Sequence, residues 1–285
     1  MAYEYILPET MVTAYRTGNI LEFSTGLGNK EPIRKISKTE YVTPDGEIHL
    51  YEKHSKNRSE NRASILKTMK NLRRLINHNF DGSPNELWIT LTYAKNQTDN
   101  VQVTKDFKVF MKKVRRRYPN MEYINVLEPQ GRGAWHMHVL FKQLNSDYLY
   151  IPNDELAKMW GHGYTYVKKL KQQDRVASYV TAYLTNVAVT DTSNVDFKDT
   201  YVASDNKRYI KGGRLDLYPR DMRFYRSSKG IKKPEKYTGR KKTIMGDHHV
   251  KKSGVLPDSY KKILLPTEEG RNYILEKEFF IIDDD

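Results

Sequence analysis

Two segments that favour β-structure, 121–128 and 135–141, stand on either side of a glycine-containing stretch, and no other feature of the sequence limits the fold as strongly. Such a pattern predicts a β-hairpin. Side chains alternate between the two faces of a strand, so His136 and His138 point to one face of the second strand. The opposite face is apolar and carries Met137, Val139 and Phe141. We therefore predict two imidazoles that share a surface and are backed by a hydrophobic layer.

Glu128 lies directly opposite His136 if the two strands pair across residues 129–135. Directly opposed residues of an antiparallel pair have Cβ atoms about 5 Å apart. Glu128, His136 and His138 then converge on one ion, and coordination positions remain for substrate oxygen atoms, as Lewis-acid catalysis requires. A bulge in the turn would shift this register. In that case the histidines would be two polar side chains on an exposed sheet face.

The absence of cysteine restricts the metals that the chain can hold. It excludes a disulfide framework, a thiolate nucleophile and a cysteine zinc site, so a metal site must use His, Asp or Glu. For a phosphate substrate we expect one divalent ion, Mg²⁺ or Mn²⁺. Imidazole ligands favour Mn²⁺, whereas cellular abundance favours Mg²⁺, and the sequence leaves this choice open.

The segments around the hairpin follow the order β-α-β-β-α-β-α. A strand is predicted at 86–93, and the next helix is capped by Thr104 and ends before Pro119. The elements after the hairpin are a short helix at 154–160, a strand at 164–168 and a helix at 174–189. This order predicts an α+β fold in which an antiparallel sheet carries helices on one face.

The charge and composition indicate the partner. The chain of 285 residues has 49 Lys and Arg against 35 Asp and Glu, a net charge of +14, which favours a polyanion as partner. Its start does not resemble a signal peptide, and no apolar run approaches the roughly 18 residues of a membrane span. We therefore expect a cytoplasmic protein with no membrane partner. The chain has no phosphate-binding loop of the helicase type, so it is not expected to be a nucleotide-driven helicase.

Tyr179 and Tyr183 lie one helical turn apart in the helix predicted at 174–189. An apolar stripe on this helix fixes the side that faces the sheet. Its members are Val176, Val180, Leu184 and Val187. Both hydroxyl groups can reach one metal site if the helix packs beside the histidine strand. The alternative is that both rings only pack at the boundary between helix and sheet.

Three motifs in this order resemble those of the His-hydrophobic-His (HUH) endonucleases, and more narrowly the rolling-circle replication initiators of bacterial plasmids and phages. The first is Ile-Thr-Leu-Thr-Tyr at 89–93. The second is Glu128 followed by His-Met-His at 136–138, and the third is the two-tyrosine segment at 179–186. The resemblance covers about 58–186.

The resemblance implies a ferredoxin-like or RRM-like endonuclease core with a five-stranded sheet at 58–230, between extensions at 1–57 and 231–285. It implies sequence-specific nicking and joining of single-stranded origin DNA through a 5′-phosphotyrosine, which initiates rolling-circle replication of a plasmid, phage or mobile element. Tyr179 is the expected first nucleophile, and Tyr183 is the second. A host helicase and a host polymerase are expected partners.

The resemblance also implies a set of DNA-binding residues. Members of this family often carry a lysine three residues after a tyrosine, whereas Ala182 and Asn186 occupy these positions here. We expect another basic residue, Lys168 or Arg175, to take this role. The full set of expected DNA-binding residues is Thr90, Thr92, Arg132, Lys168 and Arg175.

Other functions remain open at this stage. Within the same chemistry the alternatives are an HUH transposase or a relaxase, although a relaxase normally carries its tyrosine before the histidine motif. A different class is a non-catalytic module that binds single-stranded nucleic acid, in which the sheet presents aromatic side chains and the histidines are structural.

Overall fold

The structure is a computed structural model, and it describes residues 5–26, 34–37, 39–43, 45–50, 62–130, 133–171, 187–188, 200–202, 208–210, 218–219, 222–248, 256–266 and 272–282. The chain divides into two compact units. The central unit comprises Ser55–Lys232, and the terminal unit combines Met1–His54 with Lys233–Asp285.

The described elements, in chain order, are β1 (Met11–Thr17), β2 (Ile20–Thr25), β3 (Arg34–Lys35), β4 (Glu40–Val42), β5 (Ile48–Leu50), α1 (Arg62–Asn79), β6 (Glu86–Thr92), α2 (Asn100–Arg117), β7 (Met121–Pro129), β8 (Trp135–Gln143), α3 (Asn153–Trp160), β9 (Thr165–Lys169), β10 (Val187–Ala188), β11 (Thr200–Val202), β12 (Arg208–Ile210), β13 (Tyr225–Ser227), β14 (Glu235–Arg240), α4 (Lys241–Asp247), β15 (Ser259–Pro266) and β16 (Asn272–Ile281).

The central unit is built on a five-stranded sheet with the strand order β13-β7-β8-β6-β9, in which every pair is antiparallel. The predicted α+β fold with a five-stranded antiparallel sheet is therefore confirmed. The order β6-α2-β7-β8-α3-β9 follows the predicted sequence of elements. The fifth strand, β13, has only three residues, too few for a hydrophobic period to reveal it in the sequence.

Two helices pack on the apolar face of the hairpin. Phe110 of α2 stacks on Phe141 of β8, with ring centroids 6.3 Å apart. The same Phe110 meets Trp160 of α3 edge-on at 5.7 Å. These rings are almost completely buried, so α2 and α3 supply the hydrophobic layer predicted behind the two histidines. Ile65, Leu72 and other buried residues of α1 belong to the same core.

The helix α2 begins earlier than predicted. Asp99 is its N-cap, and the Asp99 carboxylate accepts hydrogen bonds from the backbone N–H groups of Val101 and Gln102. Thr104 lies inside the first turns, where its hydroxyl donates to the carbonyl of Asn100. The prediction of Thr104 as the cap was wrong because Asp99, another good capping residue, precedes it by five positions. Tyr118 ends the helix, just before Pro119, as predicted.

The predicted helix at 174–189 ends too late. Val187 and Ala188 form strand β10, which pairs antiparallel with β12. Valine is β-branched and favours strands, and here pairing across the chain outweighs the helical period of the sequence. Residues 174–186 of this predicted helix lie outside the described residues.

The turn before β9 depends on two glycines. Gly161 caps α3 in a left-handed conformation, with φ of 72°. Gly163 has φ of 153°, and a Cβ atom placed on it would lie 2.4 Å from the nitrogen of Ala94 and 2.5 Å from the carbonyl oxygen of Thr92. The backbone before β9 therefore approaches the end of β6 at a separation that only glycine permits.

We expect Gly163→Ala to lower the free energy of unfolding by about 3 kcal/mol or more, because it adds a backbone clash to an unfavourable φ. Gly161→Ala is the matched control: its nearest obstacle is the Lys158 carbonyl oxygen at 3.9 Å, so only the conformational cost of about 1 kcal/mol is expected. Urea unfolding measures both values. Equal losses for the two variants would contradict the close approach at Gly163.

The terminal unit forms its own five-stranded sheet in the order β14-β1-β2-β16-β15, again with antiparallel pairs. Strands from the beginning and the end of the chain thus alternate in one sheet, which no local pattern indicates. The predicted boundaries at 57 and 230 stay a prediction about function. This sheet shares a small core with α4, to which Phe23, Ile244 and Phe280 contribute.

A buried ion pair stabilises the terminal unit. The Nζ atom of Lys241, at the start of α4, lies 2.6 Å from Oε2 of Glu278 in β16. Both side chains are buried, and each also binds the backbone of Ile6: Glu278 accepts from its N–H and Lys241 donates to its carbonyl. These additional hydrogen bonds offset the cost of burying two charges.

Candidate metal centre

Glu128, His136 and His138 form one cluster on the central sheet. Glu128 pairs with His136 in the register of β7 and β8, so the predicted register is confirmed. One ligand atom from each of the three side chains lies within 4.8 Å of the other two. A carboxylate and two imidazoles at this separation can hold a divalent metal ion.

His138 is the buried member of the pair of histidines. Its Nε2 lies 2.5 Å from Oε2 of Glu128, and its ring is 5.2 Å from the ring of Trp88. Only 7% of His138 is exposed, and this burial lowers its pKa to about 4. The imidazole is therefore neutral at neutral pH, the protonation state that a metal ligand requires.

The hydroxyl group of Thr90 supports His138 from the neighbouring strand. Thr90 Oγ1 lies 3.4 Å from Nδ1 of His138 and accepts a hydrogen bond of 3.2 Å from the indole N–H of Trp88. Its oxygen can also accept from an Nδ1–H group. In that tautomer the lone pair of Nε2 faces Glu128 and is available to an ion.

His136 is half-buried and has its own set of partners. Thr92 Oγ1 contacts its Nε2, and the side-chain amide of Gln130 donates to its Nδ1 over 3.4 Å. The two histidine rings are 5.6 Å apart at an angle of 65°. The greater exposure of His136 places it on the side of the cluster that a substrate can approach.

Thr90 and Thr92 owe these contacts to strand register. Thr90 pairs with His138 and Thr92 pairs with His136 across β6 and β8. The sequence analysis predicted both threonines only as DNA-binding residues and missed their contact with the histidines. The signal was present, since Thr-Leu-Thr has the same two-residue spacing as His-Met-His, but the pairing of β6 with β8 is decided by tertiary structure.

The edge strand β9 adds exposed aromatic side chains to the histidine face. Tyr166 pairs with Thr90, and the Tyr164 carbonyl accepts a hydrogen bond from the N–H of Thr92. Tyr164 is 63% exposed and Tyr166 is 49% exposed. Lys168, which pairs with Trp88, follows on the same face and is also exposed. We name Tyr164, Tyr166 and Lys168 the edge row.

Four of the predicted functional residues lie outside the described residues. They are Arg132, Arg175, Tyr179 and Tyr183. Their predicted roles therefore stay predictions. The predicted metal ligands and the remaining predicted DNA-binding residues, Thr90, Thr92 and Lys168, are described and lie on one face of the sheet.

A second group of ionisable side chains lies near the end of β6. The Tyr93 hydroxyl donates a hydrogen bond of 2.8 Å to Asp106, whose other carboxylate oxygen is 3.9 Å from Nε2 of His162. Burial and the hydrogen bond to Asp106 both raise the pKa of Tyr93, so this phenol is a poor nucleophile. His162 packs beside Trp160, with ring centroids 4.8 Å apart. The group has a structural arrangement and is separate from the three ligands.

The comparison with protein families bears on this same region. Residues 86–188 match the family model of the replication-associated protein ORF2. The match spans a little over a third of the chain and includes β6 to β9, and therefore Glu128, His136 and His138. It indicates a role in DNA replication and implies that the central unit binds DNA. No curated protein and no solved structure gave a match.

The remaining general property concerns membranes. Among the described residues, no helix combines the length and the apolar character that crossing a bilayer requires. This finding agrees with a match to a replication-associated family.

Proposed function

We propose that the central unit is a metal-dependent, sequence-specific endonuclease that nicks and rejoins single-stranded DNA to initiate rolling-circle replication. The observation that carries the proposal is the cluster of Glu128, His136 and His138 within the matched segment. Its donor set suits Mg²⁺ or Mn²⁺. A resident ion of this kind polarises a scissile phosphate and screens the charge of an incoming phenolate.

The protein side chains prepare this reaction. His138 is neutral, and Thr90 and Thr92 orient the two imidazoles from the neighbouring strand. The other face of the histidine strand is fixed by its buried side chains, which include Met137 and Phe141. Together these contacts hold the ligand atoms close without the cost of rearrangement when the substrate arrives.

In the proposed chemistry Tyr179 attacks the scissile phosphorus. A bond forms between its phenolic oxygen and phosphorus, while the bond from phosphorus to the 3′ oxygen breaks. The leaving 3′ oxygen takes a proton and becomes a free hydroxyl, and the 5′ end stays linked to the protein. Because the phosphodiester energy is kept in this linkage, a hydroxyl of DNA can rejoin the strand without ATP. Tyr183 accepts the new strand at termination.

The edge row supports DNA binding on the histidine face. Adjacent strands are about 4.8 Å apart, so Tyr166 on β9 is about 10 Å from His138 on β8, with β6 between them. Exposed tyrosine rings provide surfaces on which unpaired bases stack, and Lys168 provides a cation for the backbone. A single strand that crosses β6 and β9 therefore passes from stacked bases to the metal ligands.

We expect Tyr166→Ala to weaken binding of a single-stranded oligonucleotide by about 5-fold to 100-fold, because loss of one stacked base costs about 1–3 kcal/mol. Fluorescence anisotropy in EDTA measures this affinity without cleavage. Tyr150→Ala is the matched control, since Tyr150 is 62% exposed but lies before α3, outside the sheet. Equal effects of the two variants would contradict a DNA path along the edge row.

A covalent-adduct assay tests the proposed activity. The protein is incubated with Mn²⁺ and a random pool of single-stranded oligonucleotides, and denaturing electrophoresis reveals any protein–DNA linkage. We expect an adduct that EDTA prevents. If no sequence in the pool gives an adduct, the central unit is a non-catalytic binding module, the alternative that the exposed tyrosines of β9 also favour.

Two further outcomes separate related activities. Cleavage that depends on a replication origin sequence agrees with an initiator, whereas strand transfer between the ends of an element would indicate a transposase. Recruitment of a host helicase and a host polymerase, and a cytoplasmic location, stay predictions.

A further inference from the structure

The outer edge of the central sheet contains a pocket of about 570 Å³, remote from the edge row. It lies beside β13, the strand at the opposite edge from β9. Pockets of this volume accommodate small organic ligands such as nucleotides. The side chains that matter for its chemistry are those of Thr68, Tyr123, Arg223, Tyr225, Arg226 and Ser227.

Two arginines give this pocket its charge. Burial and the nearby charge of Arg223 lower the pKa of Arg226, which shows that the two guanidinium groups lie close together. No described residue forms an ion pair with either of them. Two cations held together at a partly buried site repel each other, and a bound anion removes this repulsion. Arginine is the side chain best suited to grip phosphate, because its donors form a rigid fork.

The same pocket offers rings and hydroxyl groups. Tyr123 and Tyr225 both line it, and burial raises the pKa of each phenol, so both remain neutral hydrogen-bond donors. Thr68 and Ser227 add hydroxyl groups to the lining. Aromatic rings stack on bases, and hydroxyl groups bind phosphate or sugar oxygens. The combination of two arginines, two tyrosines and two hydroxyl groups therefore suits one complete nucleotide.

Strand register relates this pocket to the metal ligands. Tyr225 pairs with Val126, and Val126 pairs with His138, so Tyr225 lies on the histidine face two strands away from His138. At about 4.8 Å per strand this separation is about 10 Å. Tyr166 lies two strands away on the other side. A nucleotide in the pocket and bases on the edge row would thus flank the proposed cleavage position.

We propose that the pocket beside β13 binds one nucleotide, with its phosphate on Arg223 and Arg226 and its base against a tyrosine ring. The nucleotide is either an unpaired unit of the DNA strand held on the sheet or a free mononucleotide. The first source rests on the DNA binding proposed above but not on cleavage. The pocket can therefore be tested when the strand-cleaving activity is switched off.

The test measures binding in EDTA with three probes: a single-stranded oligonucleotide, deoxythymidine monophosphate and inorganic phosphate. We expect the double variant Arg223→Gln, Arg226→Gln to bind the oligonucleotide at least about 10-fold more weakly than the unchanged protein. The charge-matched control is Lys105→Gln, Lys108→Gln, which removes two exposed cations from α2. We expect this control to lose about 3-fold or less.

The outcomes separate the two sources of nucleotide. A loss of oligonucleotide binding without measurable monophosphate binding assigns the pocket to a unit of the DNA strand. Binding of the monophosphate that the arginine variant loses assigns it also to a free nucleotide. Equal losses in the arginine and lysine variants, with no binding of the monophosphate, would overturn the proposal. Binding of inorganic phosphate as tight as that of the monophosphate would overturn the role of the tyrosine ring.

Two further measurements keep the result interpretable. Circular dichroism and the thermal midpoint establish that each variant is folded. If the double variant does not fold, Arg223→Gln alone serves as the test, because Arg223 is exposed and its loss leaves the core intact. Arg226→Lys keeps the charge but removes the fork, so intermediate binding is expected for it. The adduct assay on the same variants then shows whether a failure concerns the pocket or the metal centre.

Discussion

His138→Ala is expected to reduce formation of the covalent adduct by at least about 100-fold, since even residues that only support metal ligands typically contribute 10-fold to 100-fold. The change removes one of three ligand atoms and leaves the buried carboxylate of Glu128 without the imidazole at 2.5 Å. The adduct is quantified by electrophoresis over a range of Mn²⁺ concentrations. Binding of the oligonucleotide in EDTA should change little, because cations that contact phosphate supply most of the affinity.

The matched control for His138→Ala is His162→Ala. His162 belongs to the same unit but contacts Asp106 and Trp160 in place of the metal ligands. We expect it to retain the adduct. Mn²⁺ should raise the thermal midpoint of the unchanged protein and of the control, but not that of His138→Ala, because an ion stabilises only a fold that binds it. Adduct formation by His138→Ala within about 3-fold of the control, at about equal stability, would contradict the proposed centre.

Tyr179→Phe is expected to reduce the first adduct by at least about 1000-fold, because it removes the attacking oxygen and leaves the ring. Tyr183→Phe should keep this first adduct and lose the later transfer of the strand. The two variants are compared by electrophoresis with a labelled oligonucleotide cut at its specific site. A full adduct in Tyr179→Phe together with its absence in Tyr183→Phe would reverse the order of the two tyrosines.

The matched control for the tyrosine variants is Tyr166→Phe. Tyr166 is an exposed phenol on the histidine face, and its ring, unlike its hydroxyl, is assigned to base stacking. We expect this variant to form the adduct at the normal level. Loss of the adduct in Tyr166→Phe alone would move the nucleophile from the predicted helix to the edge strand β9.

Much of the central unit could be predicted from sequence because its elements carry strong local signals. The alternation of residues in β8 separates the histidines from Met137 and its apolar neighbours, and the length of the turn sets Glu128 against His136. The prediction failed where local signals compete or are too short. Asp99 capped α2 ahead of Thr104, and Val187 entered a strand although its spacing suited a helix.

The sequence by itself determined which residues can bind a metal ion and which face of their strand they occupy, since alternation in a strand and pairing across a short turn are local properties. Tertiary structure alone decided which strand lies beside the histidines. The pairing of β6 with β8 brings Thr90 and Thr92 to the imidazoles, and the positions of β9 and β13 place tyrosines at both edges of the sheet. Pairing between strands far apart in the chain depends on the packing of the whole core, which no short segment encodes.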